Sequence, residues 1–533
     1  MNQERGRHSI HKSPQASFSK ETAMVVDSLH LAHYSVGLGI LVLISYAIPY
    51  LLDPYNYRHR FPGPRLAAFT NWWMFRLVRS GHHSEAVKEL YEKYGTFVRL
   101  GPNHISIADP DAFESVYGHG KGLLKSEFYH AFQGGPETDT FNARNKAEHS
   151  SRGVSGINWV AENGKAVINV CAQFSYLAFD IIGDLSLGSP FGLVQAQKDS
   201  SLSVESVDVS GETKQGTVEI PIARTIAGGL AQCTTIGLFP SWAHNIHMFL
   251  PWNALALFDR LRFFKLATTL VDARLKRGSG KDMEDGSGKR NIDLIDKLIE
   301  IQDENGNPLP KDEMIAEAVL LLVAGSDTVS NNLSSLFYHL AMQPEIQQEL
   351  QAELDKHIIY DDSHRYEVKE GVAVPGYDVV AWYDDIKGLP FLNACVKETL
   401  RIHSTVGIGL PRVVPPGKEI RIAGQTFKPG SVISVPSYTT NRASVWGSNA
   451  TEFQPKRWLD DKSGSLSKYF VPFSVGPRAC IGRNLGYMEL MLIAATLVRR
   501  YDIEALPITK MVTHEGFTRE AVHCEVAIKR RKA

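Results

Sequence analysis

Residues 473–482 read Phe473-Ser474-Val475-Gly476-Pro477-Arg478-Ala479-Cys480-Ile481-Gly482, and they run directly into the apolar, helix-like segment Leu485 to Val498. The stretch holds one cysteine between two glycines, with an arginine two residues before it. A thiolate placed just ahead of a helix start is favoured by the helix's positive end and by nearby backbone N–H groups. The small residues Gly476 and Gly482 let a flat group come close to the backbone. Arg478 can neutralise an acidic substituent on that group, and Phe473 completes the spacing Phe-x-x-Gly-x-Arg-x-Cys-x-Gly. A lone cysteine here would read most simply as a buried, inert residue before a core helix. The complete ten-residue pattern speaks against that simpler reading.

The rest of the composition narrows the classes. The chain has 533 residues, 43% hydrophobic and 22% charged, with a formal net charge of -1. That is ordinary globular composition, and the charge balance gives no footprint for nucleic acid. The cysteines Cys171, Cys233, Cys395, Cys480 and Cys524 are scattered and odd in number, without C-x-x-C pairs or zinc spacing. Neither a disulfide scaffold nor a structural zinc site is expected, which fits a reducing compartment.

Residues 1–33 are polar and mixed in charge, and are expected to be disordered. Residues 34–52, YSVGLGILVLISYAIPYLL, carry no charge and are long enough to cross a bilayer as a single helix. Tyr34, Tyr46 and Tyr50 suit the interfaces. The run is too long, and begins too late, for a signal peptide, so an uncleaved anchor is expected. Residues 53–65 end in Phe61-Pro62-Gly63-Pro64-Arg65 and read as a stiff hinge, because proline fixes φ and lacks a donor. Residues 66–533 then form one domain. In it, Ser84 to Tyr94 reads as a helix, and Thr96 to Leu100 with His104 to Ile107 as strands around Gly101-Pro102-Asn103. Gly118 to Gly122 lacks phosphate-loop spacing and reads as a plain loop. Ala172 to Leu187 is expected to be an amphipathic helix. Ser200 to Gly216 and Lys276 to Arg290 are expected to be surface loops, and the segments between them helices.

Lys311 to Met342 is the longest helical candidate and stops before Pro344. Inside it lies Ala324-Gly325-Ser326-Asp327-Thr328. A mid-helix glycine costs about 1 kcal/mol against alanine, so it needs a reason. Room for a ligand beside Ala324 and Gly325 is one. Thr328 can bond back to a carbonyl of its own helix, and Asp327 offers a carboxylate that can carry a proton. Further on, Glu398 and Arg401 stand three apart on one helix face, which by itself is a surface pair worth a few tenths of a kcal/mol. Lys418 to Ser437 alternates like hairpin strands.

Taken in order, these motifs resemble the cytochrome P-450 superfamily over roughly residues 61–530. The resemblance implies a mainly α fold with a small β lobe, preceded by a single N-terminal transmembrane helix. It implies haem as cofactor, with Cys480 as the iron's axial ligand, a ligand type that favours O–O cleavage. Arg478 and Arg412 would hold the haem propionates, and Phe473, Gly476, Gly482, Ala324 and Gly325 would line the cofactor. Asp327 and Thr328 would be the acid and alcohol that handle protons. Glu398, Arg401 and Arg457 would close a buried ion network, the last from Pro455-Lys456-Arg457-Trp458. The implied reaction is monooxygenation, with NADPH electrons supplied by a reductase flavoprotein. The implied setting is the endoplasmic reticulum membrane, with the catalytic domain in the cytosol.

Within the superfamily the chain is most similar to fungal benzoate para-hydroxylases. That similarity rests on stretches such as Val116-Tyr117-Gly118-His119-Gly120, Leu124-Lys125-Ser126-Glu127-Phe128-Tyr129 and Arg401-Ile402-His403-Ser404-Thr405. It implies a small aromatic acid as substrate, with Lys121, Lys125, Thr405 and Thr518 as the nearest partners for its carboxylate. A departure lies between Glu148 and Phe174, which is short for the two helices that the family places there. One of those helices carries a propionate arginine, and only His149 and Arg152 stand nearby. Two other readings stay open from sequence. One is a tailoring monooxygenase of a fungal secondary-metabolite pathway acting on an aromatic or polyketide intermediate; the other is an isomerase or degenerate haem binder.

Overall fold

A computed structural model describes residues 52–132, 165–199, 201–207, 213–276, 293–302, 306–358 and 380–531, with a few positions between 33 and 44. In chain order, helix α1 (His83–Tyr94) precedes strands β1 (Phe97–Arg99), β2 (His104–Ile107) and β3 (Leu124–Lys125). Strand β4 (Lys165–Asn169) leads into α2 (Val170–Leu187), followed by α3 (Ile222–Ile236) and α4 (Ala254–Lys276). Then come α5 (Lys311–Met342), α6 (Pro344–His357), α7 (Pro390–His403), β5 (Arg412–Val413) and β6 (Val432–Ser434). Helix α8 (Arg483–Arg500) and strands β7 (Tyr501–Glu504), β8 (Val512–Glu515), β9 (Arg519–His523) and β10 (Glu525–Arg530) complete the series.

Helix α5 is the axis. Asp312 and Glu313 favour its first turn, and Pro344 follows its last. Its buried residues Val329, Leu333, Leu336, Phe337 and Leu340 recur at three- and four-residue spacing, as one packed face requires. That face meets α2, α6, α7 and α8 in one apolar cluster, which Val526 and Ile528 of β10 also join. Helix α2 was expected to be amphipathic, but it is buried nearly all round, because α5 covers one side and β4 and β9 pack on another. The same apolar length makes Val170–Leu187 long enough to cross a membrane, yet it lies mostly inside the protein. The close passage of α2 beneath α5 explains Gly325. A Cβ there would stand 2.5 Å from Ile182 Cδ1, so the glycine's missing side chain faces a neighbouring helix and makes no room for a ligand.

The small β lobe is a five-stranded sheet in the order β1-β2-β6-β5-β3, with β6 parallel to β2 and the other pairs antiparallel. A second sheet runs β7-β10-β4, and β8 with β9 forms a separate hairpin. Residues 53–65, expected as a hinge, are docked on the first sheet. Tyr57 and Phe61 are buried there against Ile433 and Phe427, and Arg99 N donates to Pro62 O at 2.9 Å. Where a loop was expected across Ser200 to Gly216, the chain forms a hairpin, Ser201–Val207 with Thr213–Ile220. Lys276 to Arg290 lies outside the described residues, apart from Lys276 at the end of α4. The anchor segment is described at only a few positions. Of these, Val36, Ile40, Leu41 and Ile44 are helical and exposed. The five cysteines are free.

The α2–α5 approach gives a first prediction. Gly325→Leu should destabilise the protein by about 1–3 kcal/mol through overpacking. Combined with Ile182→Ala it should cost less than the two single losses added together. Urea unfolding of the four proteins measures this, and strict additivity would show that the two positions do not compete for space.

Candidate active site

The cysteine loop is shaped before α8 begins. Val475 is extended, Gly476 to Arg478 forms one 3-10 turn, and Gly482 caps α8. Gly476 sits at φ 74°, and a Cβ on it would come 2.1 Å from Tyr117 O, so only glycine fits. Its closeness is to the chain itself. Cys480 N donates to Phe473 O at 2.8 Å and closes the loop. At Gly482 a Cβ would meet only Cys480 Sγ, at 3.8 Å. Cys480 is exposed, next in the chain to Ile481 and Gly482, which line a hollow; desolvation raises its thiol pKa and a backbone hydrogen bond at Gly482 lowers it in part. Arg478 is exposed, and among the described residues no hydrogen-bond or ion-pair partner reaches it.

Helix α5 faces this loop. A cavity of about 890 Å³ is bounded by Leu321 of α5 on one side and by Phe473, Ile481, Gly482 and Leu485 on the other. One turn on from Leu321, Ala324 is exposed. Thr328 Oγ1 donates to Ala324 O at 2.9 Å, the back-bond expected for a threonine at this place. Asp327 is held from two sides: Thr518 Oγ1 donates to its Oδ2 at 2.5 Å and Asn331 Nδ2 to its Oδ1 at 3.2 Å. Burial raises the Asp327 pKa and these two hydrogen bonds lower it in part. Sequence reading missed Glu520 on β9. Burial and the nearby Asp327 push its carboxyl up to about 9.

Arg412 on β5 is buried. Its Nη1 donates to Tyr129 Oη at 2.5 Å and to Pro411 O at 3.2 Å, and its guanidinium lies 4.9 Å from the Tyr117 ring centre. Tyr117 and Tyr129 belong to stretches that marked a lineage, and their part in seating this arginine was not legible there. A second cavity, about 520 Å³, lies alongside and is lined in part by Met74, Phe128, Ile408 and Pro411 with His104 and Lys125. Lys121 and Lys125 are both exposed, and the Lys125 ammonium stands 4.9 Å from the Tyr129 ring centre. The Thr518 hydroxyl is spent on Asp327, while Thr405 Oγ1 accepts from Asn332 Nδ2 at 2.7 Å. His149 and Arg152 lie outside the described residues. The chain resumes as strand β4, which leads straight into α2.

Glu398 is 0% exposed and binds both arginines expected near it. Arg401 Nη2 donates to Oε1 at 2.7 Å and Arg401 Nε to Oε2 at 3.0 Å, and Arg457 Nε reaches Oε1 at 2.9 Å. Trp458 Nε1 and Gln454 N add donors at 2.9 and 2.8 Å. Arg401 spends its remaining N–H groups on the carbonyls of Asn441, Ala450 and Glu452.

Helices gathered on one long axis, with a cysteine loop facing that axis across a cavity, make the class of a cofactor-dependent enzyme. Comparison with known proteins identifies which. The family model "Cytochrome P450" matches residues 242–524. Benzoate 4-monooxygenase bphA of Aspergillus niger is 35% identical over 95% of this chain and 99% of its own length. Cytochrome P450 monooxygenase FCK2 of Fusarium pseudograminearum is 28% identical over 87% of this chain and 78% of its own. Pisatin demethylase of Fusarium vanettenii is 26% identical over 84% and 85%. The chain belongs to the cytochrome P450 family. It is a haem monooxygenase whose family binds iron through a cysteine thiolate and draws electrons from a redox partner.

Breaking the buried network should be costly. Glu398→Gln leaves Arg401 with an unpaired buried charge and should lower stability by about 3–5 kcal/mol. Lys88→Ala, which removes the exposed Lys88–Glu92 pair, should cost less than about 1 kcal/mol. The shift in urea midpoint distinguishes them, and equal shifts would mean that the Glu398 network adds nothing.

Proposed function

We propose that Cys480 is the axial thiolate of the haem, seated in the cavity between α5 and the cysteine loop. The observation that carries this reading is the loop around Cys480, closed by the Cys480 N to Phe473 O hydrogen bond, beside a cavity whose lining joins Phe473, Ile481 and Gly482 of that loop to Leu321 of α5. Arg478 and Arg412 suit the two propionates, Arg412 already oriented by Tyr129. Phe473, Gly476 and Gly482 fix the loop. Ala324 leaves the opening, and Gly325 acts behind it by letting α2 come close. Bound haem supplies the dioxygen-splitting chemistry, with electrons from an NADPH-dependent reductase. Asp327 is placed to pass a proton on at α5, Thr328 offers a hydroxyl one residue on, and the Thr518 and Asn331 hydrogen bonds keep the Asp327 carboxyl in place. The presence of this acid and alcohol supports oxygen activation over an isomerase or a degenerate binder.

Residues 1–33 as a flexible lead, 34–52 as a single-pass anchor and 66–533 as the catalytic domain in the cytosol, at the endoplasmic reticulum, form the organisation we favour. Two features support the membrane setting. The described anchor positions Val36, Ile40, Leu41 and Ile44 are apolar and exposed. A second apolar patch, Trp242, Ile246, Phe249, Leu255, Phe258 and Leu261, is exposed just before and within the start of α4. Patches of this kind mark contact with a membrane or a protein.

For the substrate we favour a small aromatic acid hydroxylated para to its carboxylate, after the benzoate 4-monooxygenase relative. The cavity of about 520 Å³ is largely apolar and carries polar groups that suit a carboxylate, which is too costly to bury unpartnered. Lys125 offers the charge. His104 is neutral, its pKa pushed down to about 4 by burial, and its Nε2 lies 2.8 Å from Ser434 Oγ. The same volume also admits larger rings, which favours as second reading a tailoring enzyme of secondary metabolism.

Two measurements test these assignments. Cys480→Ala should abolish the red-shifted Soret band of the reduced carbon-monoxide complex, and a mutant that keeps it would remove Cys480 as ligand. Benzoate should shift the Soret band of the ferric protein, with neutral benzamide much weaker. A shift with a bulky neutral aromatic polyketide and none with benzoate would select the tailoring reading.

A further inference from the structure

The β8–β9 hairpin carries a second carboxyl to Asp327. Thr518 is the last residue of the turn before β9, and Glu520 lies two residues on, within the strand. The Thr518 hydroxyl lies on Asp327 Oδ2, and Ala521 N donates to Asn331 Oδ1 at 2.7 Å, one helical turn beyond Asp327. The strand is therefore laid along α5, and the Glu520 carboxyl interacts with that of Asp327.

The two acids are not equivalent. Both Asp327 oxygens accept hydrogen bonds, whereas among the described residues no donor reaches Glu520. Donors favour the charged form, and two neighbouring buried carboxyls resist being ionised together. The negative charge therefore belongs on Asp327 and the proton on Glu520. No cation upsets this order. Arg519 is turned to Glu85 at 2.5 Å, and its backbone carbonyl lies 2.9 Å from His403 Nε2. His523 faces Glu525 and Asn169, and the cross-strand partner His514 stands over Gly81. Helix α2, which also packs on β9, contributes Cys171, a thiol that burial keeps protonated.

We infer that Glu520 is the proton store behind Asp327. When Asp327 has given up a proton, the Glu520 carboxyl transfers its own to the Asp327 carboxylate, and water at the half-exposed hairpin reprotonates Glu520. One proton moves and no electron does. The rise of the Glu520 pKa to about 9 agrees with a carboxyl that is protonated at neutral pH. The inference rests on the reading of Asp327 as the site's proton carrier.

The test uses the full-length holoprotein with its reductase. At neutral pH the infrared band of a protonated carboxyl should be lost in Glu520→Gln and retained in Asp327→Asn; the reverse pattern overturns the inference. In the wild type, product formed per NADPH should decline at alkaline pH as Glu520 ionises. Glu520→Gln should lack that limb and couple less well by on the order of tenfold, a smaller loss than direct proton transfer provides. A pH profile that superimposes on the wild type, with an unchanged carbon-monoxide spectrum, also overturns it. If Glu520→Gln does not fold, Glu520→Asp should keep both band and alkaline limb, and losing either would count against the store. Should Asp327→Asn couple normally, the reading of Asp327 itself falls and delivery through it falls too, while the infrared band still reports where the proton sits.

Discussion

The buried carboxylate of Glu398 is the constraint on which the rest of the structure depends. A charge removed from water must be fully partnered or it is expelled. Its partners come from its own helix, through Arg401, and from the segment 454–458, through Gln454, Arg457 and Trp458. Arg401 extends the same network to the carbonyls of Asn441, Ala450 and Glu452. These contacts pin an irregular stretch of chain to α7, and α7 packs on α5 and α8. The cysteine loop is the next segment along, caught between that pinned stretch and α8. Its position follows from this network together with the packing of Phe473 and Val475 on the apolar clusters to either side.

Steric fit then sets the loop's shape. Gly476 passes against the Tyr117 carbonyl, and Gly325 lets α2 and α5 touch. Neither glycine faces the cavity that its motif suggested. What the cavity receives is Leu321 on the helix and Phe473, Ile481 and Gly482 on the loop. A motif of this kind records the packing that positions reactive groups as much as the groups themselves.

The parts legible in the sequence share one property, that their signal lies within a short window. The helix Lys311–Met342 showed in its periodicity and its proline stop, and the cysteine loop in ten consecutive residues. Glu398 with Arg401 was visible locally only as a spacing of three; burial, which turns a weak surface pair into a structural necessity, was signalled by the family resemblance and not by the spacing. Tyr129 and Glu520 act through partners far away in sequence: Arg412 for the first, Asp327 for the second. No local pattern distinguishes them from an ordinary surface tyrosine or an edge-strand acid. The Ser201–Ile220 hairpin was missed for a different reason. Its serines and glycines outweighed the alternating β-branched residues when the segment was read by composition.

The acid pair and the substrate reading meet in one electrostatic argument. An aromatic carboxylate must enter a protein that already holds a negative charge at Asp327. Two unit charges about 8 Å apart at an effective dielectric constant near 20 repel by about 2 kcal/mol, roughly a thirtyfold loss in binding. A second ionised acid at Glu520 would add a comparable term. Keeping the proton on Glu520 therefore serves both demands at once, because it stores what Asp327 must replace and leaves a single anion near the incoming acid. A neutral substrate would gain nothing from the second effect. The charge state of Glu520 thus connects the proton chemistry of the hairpin to the kind of molecule that the cavity can hold.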